Sequence, residues 1–173
     1  MTVVEKFLGT RVSIPDERRY IAKQGLWAKS NKEFIRFGLT EPALILAGGI
    51  NDLDWLVSNG QTTAKGESVI FCITGKILYI DAPITGTIHF NESVKQNPSI
   101  IVDDPYENGW IFKIKSEQPL EEALRQFLGA DDYIQSLKET DGYKNPDGLI
   151  GGVSGICKAV YSGIRGQKIQ EGK

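Results

Sequence analysis

The chain has 173 residues, enough for one domain with a substantial core, and its 40% hydrophobic and 24% charged side chains match an ordinary globular protein. Its 20 Lys/Arg and 22 Asp/Glu residues are interleaved and leave a formal charge of −2, so no basic face for nucleic acid or an anionic membrane is expected. No run approaches the roughly 18 to 20 apolar residues of a membrane span, and Met1-Thr-Val-Val-Glu-Lys-Phe-Leu-Gly9 lacks the long apolar segment of a secretory signal, which makes the cytoplasm the expected location.

Residues 1–19 are polar, mixed in charge and interrupted by Pro15, and read as a loosely attached lead-in. Across 24–40, Phe34 and Arg36 alternate with Ile35 and Phe37, which predicts a hairpin turning at Ser30-Asn31-Lys32. Thr40 then serves as N-cap of a short helix, with Pro42 in its first turn and Gly48-Gly49 as its stop. From there to Asn97-Pro98, turn signals separate short runs rich in Val, Ile, Phe and Tyr, the pattern of a compact β sandwich or barrel. Trp110-Ile-Phe-Lys-Ile-Lys115 alternates cleanly and closes the β section, so the main domain is placed at 20–116.

Two helices are predicted over 117–140. Leu120, Ala123, Leu124, Phe127 and Leu128 form one helical stripe ended by Gly129, and Tyr133, Ile134 and Leu137 form the next. The remaining 141–173 are glycine-rich, and Val153–Ser162 reads equally well as helix or strand.

One stretch invites a chemical reading. In Ser68-Val-Ile-Phe-Cys-Ile-Thr-Gly-Lys-Ile-Leu-Tyr-Ile-Asp81, two apolar runs meet at Thr74-Gly75-Lys76, with Gly75 free to take a positive φ. An ammonium at that reversal points outward, because burying it unpaired is costly. On spacing alone it is a solvated turn.

The residues that follow change that reading. Asp81-Ala-Pro-Ile-Thr-Gly-Thr-Ile88 resembles the second half of the hairpin arm in carrier domains modified with lipoate or biotin. Asn97-Pro98, Asp104-Pro-Tyr106, Gly109-Trp110 and the alternating run to Lys115 resemble, in the same order, a segment of the glycine cleavage H protein family. Gly25-Leu-Trp27 and Phe37-Gly-Leu-Thr40 are similar to that family's early strand and its step into a short helix, so the resemblance covers 20–139 and is most specific over 82–115.

The resemblance implies a mainly β barrel-sandwich hybrid, two small sheets related by an approximate two-fold, with C-terminal helices. It also implies a non-catalytic carrier: lipoate amide-linked to Lys76, with Thr74, Gly75 and Ile77 as the turn read by a lipoate-attaching enzyme. Such an arm raises the effective concentration of its cargo at each partner enzyme. The chain departs from the family in two places. Ile73-Thr-Gly-Lys-Ile77 stands where Glu-Ser-Val-Lys-Ala is usual, and Ile45–Trp55 lacks the usual Gly-Asp-Ile and Glu-Leu-Pro. These departures resemble a divergent branch of lipoate-binding proteins serving a heterodisulfide-reductase-like complex, which makes sulfur the expected cargo and the aminomethyl group of glycine cleavage the alternative. An unmodified interaction paralogue is a further reading; a biotin carrier is disfavoured because the usual Met-Lys-Met is absent.

Other candidates have plainer explanations. Cys72 and Cys157 are expected as free thiols, Cys72 as a small core residue and Cys157, beside Lys158, as a reactive-thiol candidate. His89 is the single histidine, on a solvated strand face or lining the groove where the arm rests, and without a Cys/His cluster no metal site is expected. With one histidine and no nucleophile–base grouping, an enzyme is not expected either. Trp27, Trp55 and Trp110 read as core anchors, and Asp103-Asp104 as a turn that caps backbone amides.

Overall fold

The computed structural model describes residues 1–148. Its first element is a hairpin, β1 (Thr2–Phe7) and β2 (Thr10–Ile14), and not a loose lead-in. Phe7, Val12 and Ile14 are at most 1% exposed, so three side chains of that hairpin anchor it. Pro15 is buried too, and its carbonyl accepts a hydrogen bond from the Tyr20 hydroxyl. Few apolar residues spaced among charges hid this packing from the sequence.

The alternation across 24–40 becomes β4 (Leu26–Asn31) and β5 (Phe34–Leu39), following β3 (Arg19–Ile21). Asn31 still pairs with Phe34, so the reversal falls on Lys32-Glu33, with Lys32 at φ 58°. Thr40 caps α1 (Glu41–Ala47) as expected, its Oγ1 accepting from the Ala43 amide at 3.1 Å, and Gly48 at φ 77° ends it.

Two sheets enclose the main core. The smaller has the order β6-β8-β9, from β6 (Asp52–Trp55), β8 (Ser68–Ile73) and β9 (Ile77–Asp81). The larger has the order β3-β4-β5-β11-β10-β7, adding β7 (Thr62–Thr63), β10 (Gly86–Phe90) and β11 (Phe112–Ser116). Their inward side chains, among them Leu53, Ile70, Cys72, Ile35, Phe37 and Ile114, form one cluster. The sheets are unequal and do not close into a barrel, but the expected mainly β sandwich with C-terminal helices is present. Within the larger sheet Gly86 lets β10 lie close on β11, since a Cβ there would lie 2.1 Å from the Lys115 carbonyl oxygen.

Two short helices, α2 (Glu92–Gln96) and α3 (Ser99–Asp103), occupy a region read from sequence as part of the β section, punctuated by turns. Of the two stripes over 117–140, the first forms α4 (Leu120–Arg125), which stops short of Gly129 because the Leu128 amide and carbonyl bond to Tyr20 instead, and the second forms α5 (Ala130–Leu137). Ala123 and Phe127 join the main core. Tyr133 and Leu137 join a second core with Phe7, Val12, Ile14, Tyr20 and Trp27.

The start of the glycine-rich segment belongs to this second core. α6 (Asp141–Lys144) places Gly142 against the Phe7 ring, where a Cβ would come within 2.2 Å, and the Leu8 and Gly9 amides donate to the Gly142 and Pro146 carbonyls. Val153–Ser162 and Cys157 lie outside the described residues. Among those described, no helix is long and apolar enough to cross a membrane.

Replacing Phe7 by Ala is expected to cost about 3–5 kcal/mol of unfolding free energy, measured by urea denaturation. An unchanged midpoint would restore the loosely attached lead-in.

Candidate functional site

Ile73 pairs with Ile77, Cys72 with Leu78 and Phe71 with Tyr79, so β8 and β9 leave Thr74-Gly75-Lys76 as a three-residue reversal. Gly75 is not among the residues at positive φ, contrary to expectation. Thr74 closes the loop instead. Its amide and its hydroxyl both donate to the Lys76 carbonyl, at 2.8 and 3.0 Å, and its Oγ1 accepts from the Lys76 amide at 3.2 Å. The lysine backbone is therefore held on both sides while its side chain is exposed and, among the described residues, free of any ion pair.

Of the expected recognition residues, Gly75 and Ile77 are exposed, but Thr74 is turned inward at 5% exposure and positions the loop. Ile73, Ile77 and Tyr79, 40%, 59% and 55% exposed, surround the tip with apolar surface.

Beside the tip lies a groove of about 450 Å³ with Lys76 in its wall. The hairpin, α1, the segment between β3 and β4, and α5 all contribute, and Leu39, Ala43, Leu46, Ile50, Leu78 and Leu137 give it an apolar lining. Gln24 ties this wall to the hairpin, accepting from the Asp81 amide at 2.7 Å and donating to its carbonyl at 3.1 Å. Gly25, at φ 68°, must lack a side chain because a Cβ would sit 2.4 Å from that of Ala43. The groove escaped the sequence because its residues are scattered over about a hundred positions; only Gly25, within the resemblance, hinted at it.

The remaining candidates stand apart. Cys72 is fully buried in the core, the small core residue expected, and desolvation pushes its thiol pKa up to about 12. His89 is half-buried on the outer face of the large sheet, edge-on to Phe34 at 5.7 Å, and does not line the groove. Trp27 is a core anchor whose Nε1 donates to the Pro105 carbonyl at 2.9 Å. Trp55 and Trp110 are only half-buried, Trp55 stacking on Phe90 at 4.2 Å. Asp104 caps as expected, accepting from the Asn108 amide at 3.0 Å. Among the described residues, no group of three His, Cys, Asp or Glu side chains converges as a metal site.

The sequence model of the glycine cleavage H-protein family matches residues 18–140. Glycine cleavage system H protein 4 of Aquifex aeolicus is 35% identical over 123 residues, 70% of this chain and 70% of that protein. A probable glycine cleavage system H protein 2 of Saccharolobus solfataricus is 34% identical over 131 residues, 73% of this chain and 86% of the relative. Among solved structures, a glycine cleavage system H protein from Mycobacterium marinum matches with a TM-score of 0.60 and 26% identity, covering 71% of this chain and 98% of that one. These relatives carry the glycine cleavage name, so the expected sulfur assignment gains no support and its alternative does.

In a Cys157→Ser variant, Cys72 is expected to stay inert to an aromatic disulfide reagent near neutral pH until denaturant is added; rapid native-state labelling would contradict its burial. Tyr20, Tyr106 and Tyr133 also have pKa values raised by burial. For these groups the folded value exceeds the unfolded one, so their stabilisation is complete below the unfolded values and is lost as pH rises through the folded ones. Urea midpoints should hold to about pH 9 and fall as pH approaches 12, the range between the ordinary and buried Cys72 values.

Proposed function

The chain belongs to the glycine cleavage H-protein family, whose members are non-catalytic carriers with lipoate bound covalently to a lysine, and on that premise we propose that Lys76 is the attachment point and that the cargo is the aminomethyl group of glycine. The reading rests on one observation: Lys76 is an exposed lysine whose backbone is clamped by Thr74 at the tip of a core-rooted hairpin. Once attached, lipoate supplies a dithiol on a long flexible chain, able to hold a reactive group.

The residues present suit that group. An amide link consumes the ε-amine, so the lysine must not already be engaged, and Lys76 has no ionic partner among the described residues. The groove beside it offers Leu39, Leu46, Ile50 and Leu78 to an octanoyl chain and excludes water from whatever lies against them. Thr74 limits the motion of the anchor, so the search for partner sites is made by the arm and not by the loop. Ile73, Ile77 and Tyr79 present apolar surface to the lipoate-attaching enzyme and to the glycine cleavage enzymes that must approach this tip.

A second reading, sulfur as cargo for a heterodisulfide-reductase-like complex, is favoured by a single observation: the unusual turn Ile73-Thr-Gly-Lys-Ile77.

Intact mass after co-expression with a lipoate-attaching enzyme should show one added lipoyl group on the parent chain and none on Lys76→Arg. An unmodified parent points to the interaction paralogue, and an added biotin to the other carrier class. The loaded, reduced protein should then support glycine decarboxylation by purified glycine cleavage partners; inactivity despite complete loading would shift the cargo to sulfur.

A further inference from the structure

The sheet register gathers charges that are scattered in sequence. Lys29 pairs directly with Arg36, Arg36 with Lys113, and Lys113 with His89, across β4, β5, β11 and β10. Their neighbours Ala28, Phe37, Phe112 and Phe90 face the core, so this row lies on the outer face. Three cations in one row of adjacent strands repel, and directly opposed like charges destabilise a sheet. None of the three belongs to an ion pair among the described residues, whereas nearby Lys115 and Arg18 are paired to Glu33 and Glu107 at 3.0 Å. Aromatic faces hold the row up instead: Arg36 lies 4.8 Å from the Trp110 ring and Lys113 4.4 Å from the Phe34 ring. At its β4 end the row meets a cavity of about 380 Å³ whose wall adds Lys32, and where the buried Arg18 is already paired with Glu107.

We propose that this face is a docking surface for a partner protein that lays an acidic helix across the strands of the large sheet. The spacing argues for a helix. Strands stand about 4.8 Å apart, and helix residues three or four apart advance about 4.5 to 6 Å along the axis, so carboxylates on one helical face keep step with Lys29, Arg36 and Lys113. An extended strand advances about 6.7 Å between residues on one face, and duplex phosphates about 3.4 Å; neither keeps step. The chain's formal charge of −2 also disfavours a long polyanion, which would meet net repulsion beyond this short row. A salt-sensitive contact of this kind speeds association while leaving release fast, as a carrier serving several enzymes requires. The surface does not depend on which lysine bears the arm.

The test is a titration of isotope-labelled full-length protein, followed by NMR, with a synthetic helical peptide bearing glutamate at every third or fourth position. Shifts should centre on Lys29, Arg36, Lys113 and Trp110, and affinity should fall measurably as salt rises from roughly 50 to 200 mM. The Lys29→Gln/Arg36→Gln/Lys113→Gln variant should lose binding by at least about tenfold while its NMR spectrum away from this face stays that of the folded parent, although loss of the cation–π contacts lowers its urea midpoint somewhat. A variant that no longer gives the folded spectrum would assign the row a structural role and overturn the proposal. Binding retained by the variant, shifts elsewhere, no binding by the parent, or tighter binding of single-stranded oligothymidylate would overturn it as well. The single exposed-residue variant Lys29→Gln gives an independent reading and should weaken the peptide measurably.

Discussion

A long arm is useful only if its root does not move, and in this chain the root is a hairpin whose inward side chains are withdrawn from water. Val69, Ile70, Cys72 and Ile80, all at most 1% exposed, fasten β8 and β9 to the core shared with the large sheet. The outward residues of the same strands, Ile73, Ile77 and Tyr79, remain exposed because alternation leaves them no second layer to meet. Pleating thus accounts for both the rigidity below the tip and the apolar surface around it. Thr74 finishes the job at the tip itself, where no sheet partner remains: one buried side chain and its own amide supply the bonds that the ladder no longer provides.

The groove depends on the second core at one remove. Its α5 wall is held by Tyr133, which stacks on Tyr20 at 4.5 Å and shares a 2.6 Å hydrogen bond with Thr40, the cap of α1. Tyr106 joins the same network, donating to the Ser13 carbonyl at 2.6 Å and accepting from the Glu41 amide at 3.0 Å. The N-terminal hairpin, α1 and α5 therefore lock one another. Arg18 lies within this lock, nearly fully buried, its guanidinium 4.9 Å from the centre of the Trp27 ring and bonded to Glu17, Glu107 and the Tyr106 carbonyl.

What could be read from sequence followed range. Thr40, Pro42 and Gly48 fix α1 by local bonding within a few residues, and the period-2 alternation at Phe34–Phe37 fixes β5. Lys76 at a reversal was equally local, and the Ala82-Pro83 and Gly109-Trp110 motifs supplied its meaning. What sequence withheld was long-range. Phe7 meets Gly142 across more than a hundred residues, and no local pattern announces such a contact. Thr74 looked like a surface turn residue because burial is not written in a hydroxyl. Gly75 looked like the hinge because glycine usually is, but a side-chain clasp made the positive φ unnecessary.

The same limit explains why charge along the chain misled. Interleaving in sequence says nothing about juxtaposition in a sheet, where neighbours come from strands far apart in sequence. Lys29 and Lys113 belong to opposite ends of the β section, yet a single strand separates them. On the smaller sheet Asp52 and Asp54 of β6 lie on the outer face that carries Ile73 and Phe71, and there the register leaves Asp54 beside a cation, Lys95, at 3.1 Å. The row on the large sheet has no carboxylate so placed among the described residues, so three like charges stand together only because strand order brings them there.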